Sequence, residues 1–331
     1  MAVGEGRLVR AEQDGRSGSE ELLLRVAWFY YKDELTQDEI AKRLSVSRAS
    51  VGRMLERARK VGLVSINLNA DHLNAFEVSR QLRRVFGLAE ALVVPDHEKE
   101  PFDHHALNAR VGLGGAQFMS THLRPGASLG VGWGETVSRV IAATSFGAVG
   151  PVHMVTLTGG VEGYLQTILS SKGEIAGESA HLTSATVIPS PIMASTAGLA
   201  AALRAEPTIQ QVLKQACGVE YALVGVGTPT ADATIVHTGY LNAEDSRGLR
   251  ERGVVGDILG QFFDASGDVV DLPIHDRRIG IELADLRRIP KVVGVAGGEH
   301  KAEAILGALH GGFLDVLVTN ELTAIRLLEL R

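Results

Sequence analysis

The first third of the chain is written in helical periods. Leu22–Tyr31 is an apolar-rich run without the two-residue alternation of a strand, and it predicts a helix after Ser19. Thr36 and Glu39 have the spacing of a capping box, which starts a second, short helix followed by a tight turn. Ser47 is placed to cap a third by accepting a bond from a backbone N–H. In that third helix Val51, Leu55 and Ala58 fall on one face at 3.6-residue spacing, while Ser50, Arg53, Arg57 and Lys60 lie on another. Gly62 is positioned as a helix stop, and Leu63–Leu68 alternates apolar and polar residues like a short strand. Together these features predict a winged helix-turn-helix over residues 19–70, behind a flexible tail at residues 1–18.

The pattern then changes. Ala75–Phe86 reads as a linking helix, with Phe76, Leu82, Val85 and Phe86 available to pack. Beyond it, short apolar runs recur with helical stretches between them: Ala91–Val94, Ser128–Val131, Met154–Leu157, Ala222–Val226, Lys291–Val295 and Val316–Val318. Strands buried on both faces have this continuous apolar character, so residues 71–331 are predicted to form an α/β domain around a mostly parallel sheet.

Charge locates one function. Between Thr36 and Gly62 seven basic residues stand against three acidic ones, a local balance of +4 in a chain whose net charge is −6. Nucleic-acid contact is therefore expected to be local, through Ser47, Arg48, Ser50, Arg53 and Arg57 of the predicted recognition helix. The lone cysteine, Cys217, excludes an internal disulfide and a thiolate zinc cluster, consistent with a reducing cytoplasm. The first residues lack the apolar core of a signal peptide, and no run approaches the roughly 18 apolar residues of a membrane span.

The second function is suggested by glycine at predicted strand ends, in Val131–Thr136, Leu157–Gly160, Val224–Thr228 and Val295–Lys301. In open α/β sheets ligands bind at the carboxyl edge, where glycine lets backbone approach closely and the next helix offers unpaired N–H groups to an anion. Lys301 adds a mobile positive charge. A sugar phosphate fits this chemistry. A nucleotide fits less well, because neither a P-loop nor a dinucleotide fingerprint is present. The histidines, among them His104, His105, His275, His300 and His310, lack the helical spacing of a zinc site, and only His300 falls in a ligand-facing turn. No serine-hydrolase elbow occurs. Neither metal nor cofactor is expected.

With a winged helix-turn-helix ahead of an α/β domain carrying G-x-G-W-G-x-T from Gly130, L-x-G-G from Leu157, V-G-D-I from Val255 and A-G-G-x-x-K-x-x-A-I from Ala296, the chain resembles the SorC family of sugar-binding bacterial transcriptional regulators. The resemblance covers nearly everything after the first 18 or so residues. It implies an effector domain similar in fold to sugar-phosphate isomerases and deaminases that acts as a sensor, with no enzymatic activity. Carried over by position, it implies one phosphate-facing turn at Gly132, Gly134, Glu135 and Thr136, and another at Gly297, Gly298 and Lys301. Asp257 falls near the sugar hydroxyls, while Gly159, Gly160 and Gln166 are further effector positions. The family often shows T-D-E after the last strand where this chain has Thr319-Asn320-Glu321, so an amide replaces a carboxylate and Glu321 is the acid left to substitute. The partners expected are operator DNA and a phosphorylated sugar or polyol, with a homodimer or homotetramer as the assembly. The runner-up is a sugar-phosphate isomerase or deaminase with an accessory DNA module; it needs a base near the sugar C1–C2, for which Asp257 and His300 are the candidates.

Overall fold

A computed structural model describes residues 21–61, 63–64, 70–96, 103–160, 182–230, 239, 241 and 243–331. The predicted tail, Gly62, most of the Leu63–Leu68 strand and Gln166 lie outside the described residues. The chain divides into two compact units, Met1–Asn69 and Ala70–Arg331.

In the first unit α1 (residues 21–31), α2 (Gln37–Leu44) and α3 (Arg48–Lys60) enclose a small core. Val26 of α1 meets Ile40 and Ala41 of α2 and Val51 and Leu55 of α3. The capping box is formed in both directions, with Thr36 N–H donating to Glu39 Oε2 at 2.8 Å and Glu39 N–H donating to Thr36 Oγ1 at 3.3 Å. Ser45 closes α2 in the left-handed region at φ 54°, and Ser47 Oγ accepts from the Ser50 N–H at 3.1 Å. Local side-chain bonds thus fix where α2 and α3 begin, and the left-handed Ser45, whose backbone N–H donates to the Ala41 and Lys42 carbonyls, fixes where α2 stops.

The second unit opens with α4 (Ala70–Phe86) and is built on seven parallel strands. They are β1 (Glu90–Val94), β2 (Ser128–Val131), β3 (Val152–Thr156), β4 (Leu182–Thr186), β5 (Tyr221–Gly225), β8 (Lys291–Val295) and β9 (Val316–Asn320), in the order β1-β9-β8-β5-β2-β3-β4. Six of these coincide with the apolar runs read from the sequence. The seventh, β4, with sequence LTSAT, is a polar edge strand and carries no such run. The remaining pair, β6 (Val254–Ile258) and β7 (Gln261–Asp264), forms a separate antiparallel hairpin.

Helices cover both faces, which explains the continuous apolar strands. Leu223, Val293, Val295, Val316 and Val318 pack beneath α5 (His104–His122) and α6 (Glu135–Ala143). Their neighbours Ala222, Val224, Val292 and Leu317 face the opposite layer, with Val78 and Leu82 of α4 and Ile305. Gly112 and Gly115 on α5 let α6 approach closely, since a Cβ on either would overlap Arg139 or Val140 of that helix. Consequently the amino ends of α5 and α6 open at the same edge of the sheet.

Strand order also fixes where a ligand can enter. From β2 the chain steps to β3 and β4 on one side, then returns to β5 on the other side of β2 and continues to β8 and β9. The reversal leaves a crevice at the carboxyl ends of β2 and β5, the switch point at which open α/β sheets bind ligands.

Candidate functional site

In the first unit, Ser47, Arg48, Ser50, Arg53 and Arg57 occupy the amino half and one outer face of α3. Arg48, Arg53 and Arg57 are exposed. Arg48 stands 3.7 Å from Asp38 of α2, and Arg53 donates to Ser50 Oγ at 3.2 Å, which in turn pairs with Ser47 Oγ at 2.9 Å. Val51, Leu55 and Ala58 are buried on the opposite side. A helix anchored in this way presents guanidinium groups and hydroxyls on its free face, the groups that bond base edges and phosphates.

In the second unit a cavity of about 310 Å³ lies at the switch point. Its size is near the lower end of the usual small-molecule range of about 300–1,000 Å³ and suits a monosaccharide-sized ligand. Five parts of the chain converge on it. The start of α5 supplies His104, His105 and Asn108; the turn after β2 supplies Trp133, Gly134, Glu135 and Thr136. The loop after β5 supplies Gly227, Thr228 and Thr230, the hairpin turn Asp257 and Leu259, and the turn after β8 His300 and Lys301.

The turn after β2 is arranged for an anion. Gly134 is the N-cap of α6 with φ 123°, a conformation essentially reserved for glycine, and no side chain caps the helix there. The first N–H groups of a helix carry its positive partial charge. Glu135 is drawn aside by α5: its carboxylate meets His105 Nδ1 at 2.7 Å and accepts from Asn108 Nδ2 at 3.0 Å, with Arg139 at 3.4 Å. Asn108 Oδ1 also accepts from Thr136 Oγ1 at 3.0 Å. Although burial opposes it, these donors hold the Glu135 carboxyl below its ordinary range, and the same contact raises His105.

Asp257 lies deeper. The residue is 4 % exposed, and burial pushes its carboxyl up to about 6 against the bond from the Gly260 N–H and the charge of Lys301. Burial lowers Lys301, opposed by Asp257 and Glu135. The hairpin is docked on the loop after β5 by reciprocal backbone bonds between Gly227 and Asp257, at 2.9 and 3.1 Å. Glycine is required at 227, because a Cβ would overlap Asp257 Oδ1. The hairpin turn places both Leu259 and Gly260 at positive φ, 57° and 74°. For leucine this is uncommon, and Leu259 is held there at the cavity wall.

Of the residues nominated from the sequence, the fold thus brings Gly134, Glu135, Thr136, Asp257 and Lys301 to one cavity. His300, the other candidate base, lines the same cavity, Gln166 lies outside the described residues, and the other effector candidates stand elsewhere. The Gly132 N–H donates to Leu223 O at 2.8 Å, that of Gly159 to Ile279 O at 3.0 Å and that of Gly160 to Ser190 O at 2.8 Å. The Gly298 N–H donates to Asn320 Oδ1 at 3.0 Å and Thr323 Oγ1 at 2.8 Å, and a Cβ on Gly297 would press on Asn320. Glu321 accepts from Asn74 on α4. Asn320, the departure from the family pattern, uses both ends of its amide: Oδ1 accepts from Gly298, and Nδ2 donates to Asp96 Oδ2 at 2.7 Å. An aspartate could not make the second bond.

The sequence pattern singles out neither Asn108 nor Thr230, and Thr228 only as the end of the Val224–Thr228 glycine run; all three line the cavity with His104 and His105. His104 and His300 pack edge to face with ring centroids 5.3 Å apart, and the Thr228 and Thr230 hydroxyls pair at 2.9 Å. A polar doublet Asn108/Thr136 across two helix starts leaves no spacing signal in the chain. Among the described residues no acidic, histidine and cysteine side chains cluster as a metal site, and no helix is long and apolar enough to cross a membrane.

Comparison with known proteins agrees with this architecture. The family model described as "Putative sugar-binding domain" matches residues 71–329. The transcriptional regulator LsrR of Enterobacter sp. (strain 638) is 38 % identical over 315 residues, covering 94 % of both chains. That of Escherichia coli O139:H28 is 39 % identical over 314 residues, covering 94 % of this chain and 95 % of its own. Among solved structures, the full-length sorbitol operon regulator SorC from Klebsiella pneumoniae aligns with a TM-score of 0.68 at 28 % identity, over 93 % of this chain and 98 % of its own. A DeoR family transcriptional regulator from Listeria monocytogenes gives a TM-score of 0.68 at 28 % identity, over 76 % of this chain and 99 % of its own. On the matched domain, the relatives and the fold, the chain belongs to the SorC family of sugar-binding transcriptional regulators.

Proposed function

We propose that this regulator binds operator DNA through Ser47, Arg48, Ser50, Arg53 and Arg57, and that a phosphorylated sugar or polyol in the switch-point cavity controls that binding. The observation that carries the effector reading is the uncapped start of α6 at Gly134, opening into the same cavity as Lys301. Backbone N–H groups and an ammonium are the donors a phosphate requires; the start of α5 nearby is already capped by the Asp103 carboxylate, which accepts from the His105 N–H at 2.9 Å. Asp257, Thr228 and Thr230 then face the sugar hydroxyls. The protein acts in the cytoplasm as a homodimer or homotetramer, and its operator contains two related half-sites. It performs no reaction on the sugar.

Two measurements test this. Binding of phosphorylated and free sugars is compared by thermal shift, since a ligand that binds only the folded state raises Tm by mass action; stabilisation by free sugars alone removes the phosphate from the account. Arg53→Ala and Arg57→Ala are titrated against operator DNA over a range of salt. Each costs about 1–3 kcal/mol if it makes a bidentate base contact, or reduces the salt slope by about one if it meets a phosphate. Unchanged affinity and slope in both variants would move the DNA-reading face elsewhere.

A further inference from the structure

The β6–β7 hairpin is held by one later segment, residues 275–283. His275 Nε2 accepts from the Phe262 N–H at 2.9 Å, and its ring stacks on that of Phe262 with centroids 5.7 Å apart. Gln261 donates through Nε2 to Glu282 Oε2 at 2.6 Å and accepts through Oε1 from the Leu283 N–H at 2.7 Å. Between these contacts lies Arg278, buried at 2 % exposure and outside the cavity lining. Its Nη2 pairs with Glu282 Oε1 at 2.8 Å, and its Nη1 donates to the Leu259 carbonyl at 3.5 Å. Its Nε has no hydrogen-bond partner among the described residues. A guanidinium buried with one donor unsatisfied is a poor way to stabilise a fold, because hydrocarbon of similar volume fills such a place without loss. What it does supply is a fixed donor at Leu259, whose φ of 57° a leucine keeps only where its surroundings impose it.

We infer that Arg278 is a positioning residue for the effector site: by holding the Leu259 carbonyl it fixes the plane of the Leu259–Gly260 peptide, and with it the place of Leu259 on the cavity wall. The same peptide gives its N–H, that of Gly260, to Asp257 Oδ2 at 3.1 Å. The C=O and N–H of a trans peptide point in opposite directions, so a rotation of this one plane breaks both bonds together. Leu259 also packs over the turn after β2, with Cδ2 3.0 Å from where a Cβ on Gly132 would lie, so a turned peptide displaces the wall between hairpin and turn. Arginine suits the task because its planar fork serves Glu282 and the carbonyl at once, which the single ammonium of lysine on a flexible stem does not match. Room for the fork comes from Gly280, where a Cβ would stand 2.8 Å from Nη1. The inference rests on the reading above that the effector occupies this cavity, and it adds a residue that lies outside it.

Two measurements on the full chain test this, one without ligand. Arg278→Met keeps the buried stem and removes the donors, leaving Glu282, whose side chain is half exposed, to water. In wild-type protein the Gly260 amide resonance should follow the ionisation of Asp257 as pH is varied, because its N–H is bonded to that carboxylate. In Arg278→Met the amide should cease to follow it and should exchange faster with solvent, a readout that a merely structural arginine does not move. The second measurement is isothermal titration with fructose 6-phosphate, glucose 6-phosphate and glycerol 3-phosphate. Apparent affinity falls with the fraction of molecules in the binding-competent arrangement, so any of the three that binds wild type should bind Arg278→Met about tenfold or more weakly. Arg278→Lys, which keeps the charge beside Glu282, should show both effects to a smaller extent; it carries the test if Arg278→Met does not unfold cooperatively. A Gly260 amide that follows Asp257 equally in variant and wild type overturns the inference, as does unchanged affinity in a variant whose amide is released. If none of the three ligands binds wild type, the phosphate reading fails and the amide measurement alone decides the role of Arg278.

Discussion

The turns after β2 and β8 look alike in sequence, and both begin a helical turn at a positive-φ glycine that no side chain caps, yet they bring different groups to the cavity. After β2, Gly134 begins α6 without a side-chain cap, and the helix start faces the cavity. After β8, the N–H of Gly298 is taken by Asn320 and Thr323, and what the turn contributes is the side chains of His300 and Lys301. The first turn leads into the nine-residue α6, whereas the second leads into a three-residue 3-10 turn, Glu299–Lys301, and is held by the bonded Gly298 N–H. A glycine at a strand end therefore shows that backbone comes close to something, but not whether that something is a ligand or the protein itself.

Substitution of the two glycines should expose the difference most strongly. Gly298→Ala places a Cβ against the His300 ring at φ 107°, so strain and overlap together should lower stability by about 3 kcal/mol in denaturant titration. A Cβ on Gly134 meets nothing within 4 Å, so Gly134→Ala carries only the conformational term, roughly 1–3 kcal/mol, while phosphate affinity falls. Equal stability losses with unchanged affinity in Gly134→Ala would erase the distinction.

Asp257→Asn separates the hairpin from both turns. The folded carboxyl sits at about 6 against an ordinary 3.8, so the folded state holds its proton through that window while the unfolded chain ionises. Stability contributed by the protonated form is therefore full below about pH 4 and lost as pH rises to 6. Removing the ionisation should raise stability at pH 7 by up to about 3 kcal/mol, less whatever Lys301 loses with its counter-ion, and change little at pH 4. Denaturant titrations at the two pH values decide it; an equal change at both contradicts the assignment.

The bond that holds the Gly298 turn is tested by Asn320→Asp. The new carboxylate still accepts from Gly298 but confronts Asp96 in place of donating to it. About 1–3 kcal/mol of stability should be lost at pH 7, with recovery as the acids protonate. The smallest effect is expected for Glu135→Gln at the first turn. His105 is raised by Glu135, so the stability their contact contributes is present below the ordinary histidine value of 6.5 and lost as pH rises through the folded one. The variant should show a lower His105 titration by NMR and a flatter stability profile over that range.

Much of this molecule was legible because its signals are local. The capping box at Thr36, the cap at Ser47 and six apolar strands each depend on residues a few positions apart, and the structure forms them where the spacing places them. Strand β4 was not legible, because a polar edge strand has no burial pattern to reveal it. The β6–β7 hairpin was hidden because its turn holds leucine at positive φ where Asn-Gly or Asp-Gly is the usual sign. In the cavity, Asp257, Lys301 and the β2 turn were nominated by resemblance and glycine pattern. The placing of Asn108, Thr228, Thr230, His104 and His105 around one cavity depends on elements far apart in sequence. The amide at 320 was visible as a departure, but its bond to Asp96, 224 positions away, was not.

The central claim, that an anion is bound between the open start of α6 and Lys301, is met most directly by calorimetric titration of wild type and Lys301→Ala with a matched pair of phosphorylated and free sugar. The account predicts that wild type prefers the phosphorylated ligand and that the variant binds it about 1.5–3 kcal/mol more weakly, the scale of a lost charge-assisted bond, with operator affinity unchanged in the absence of ligand. Equal affinity of the two proteins for the phosphorylated sugar, or a wild-type preference for the uncharged one, would contradict it.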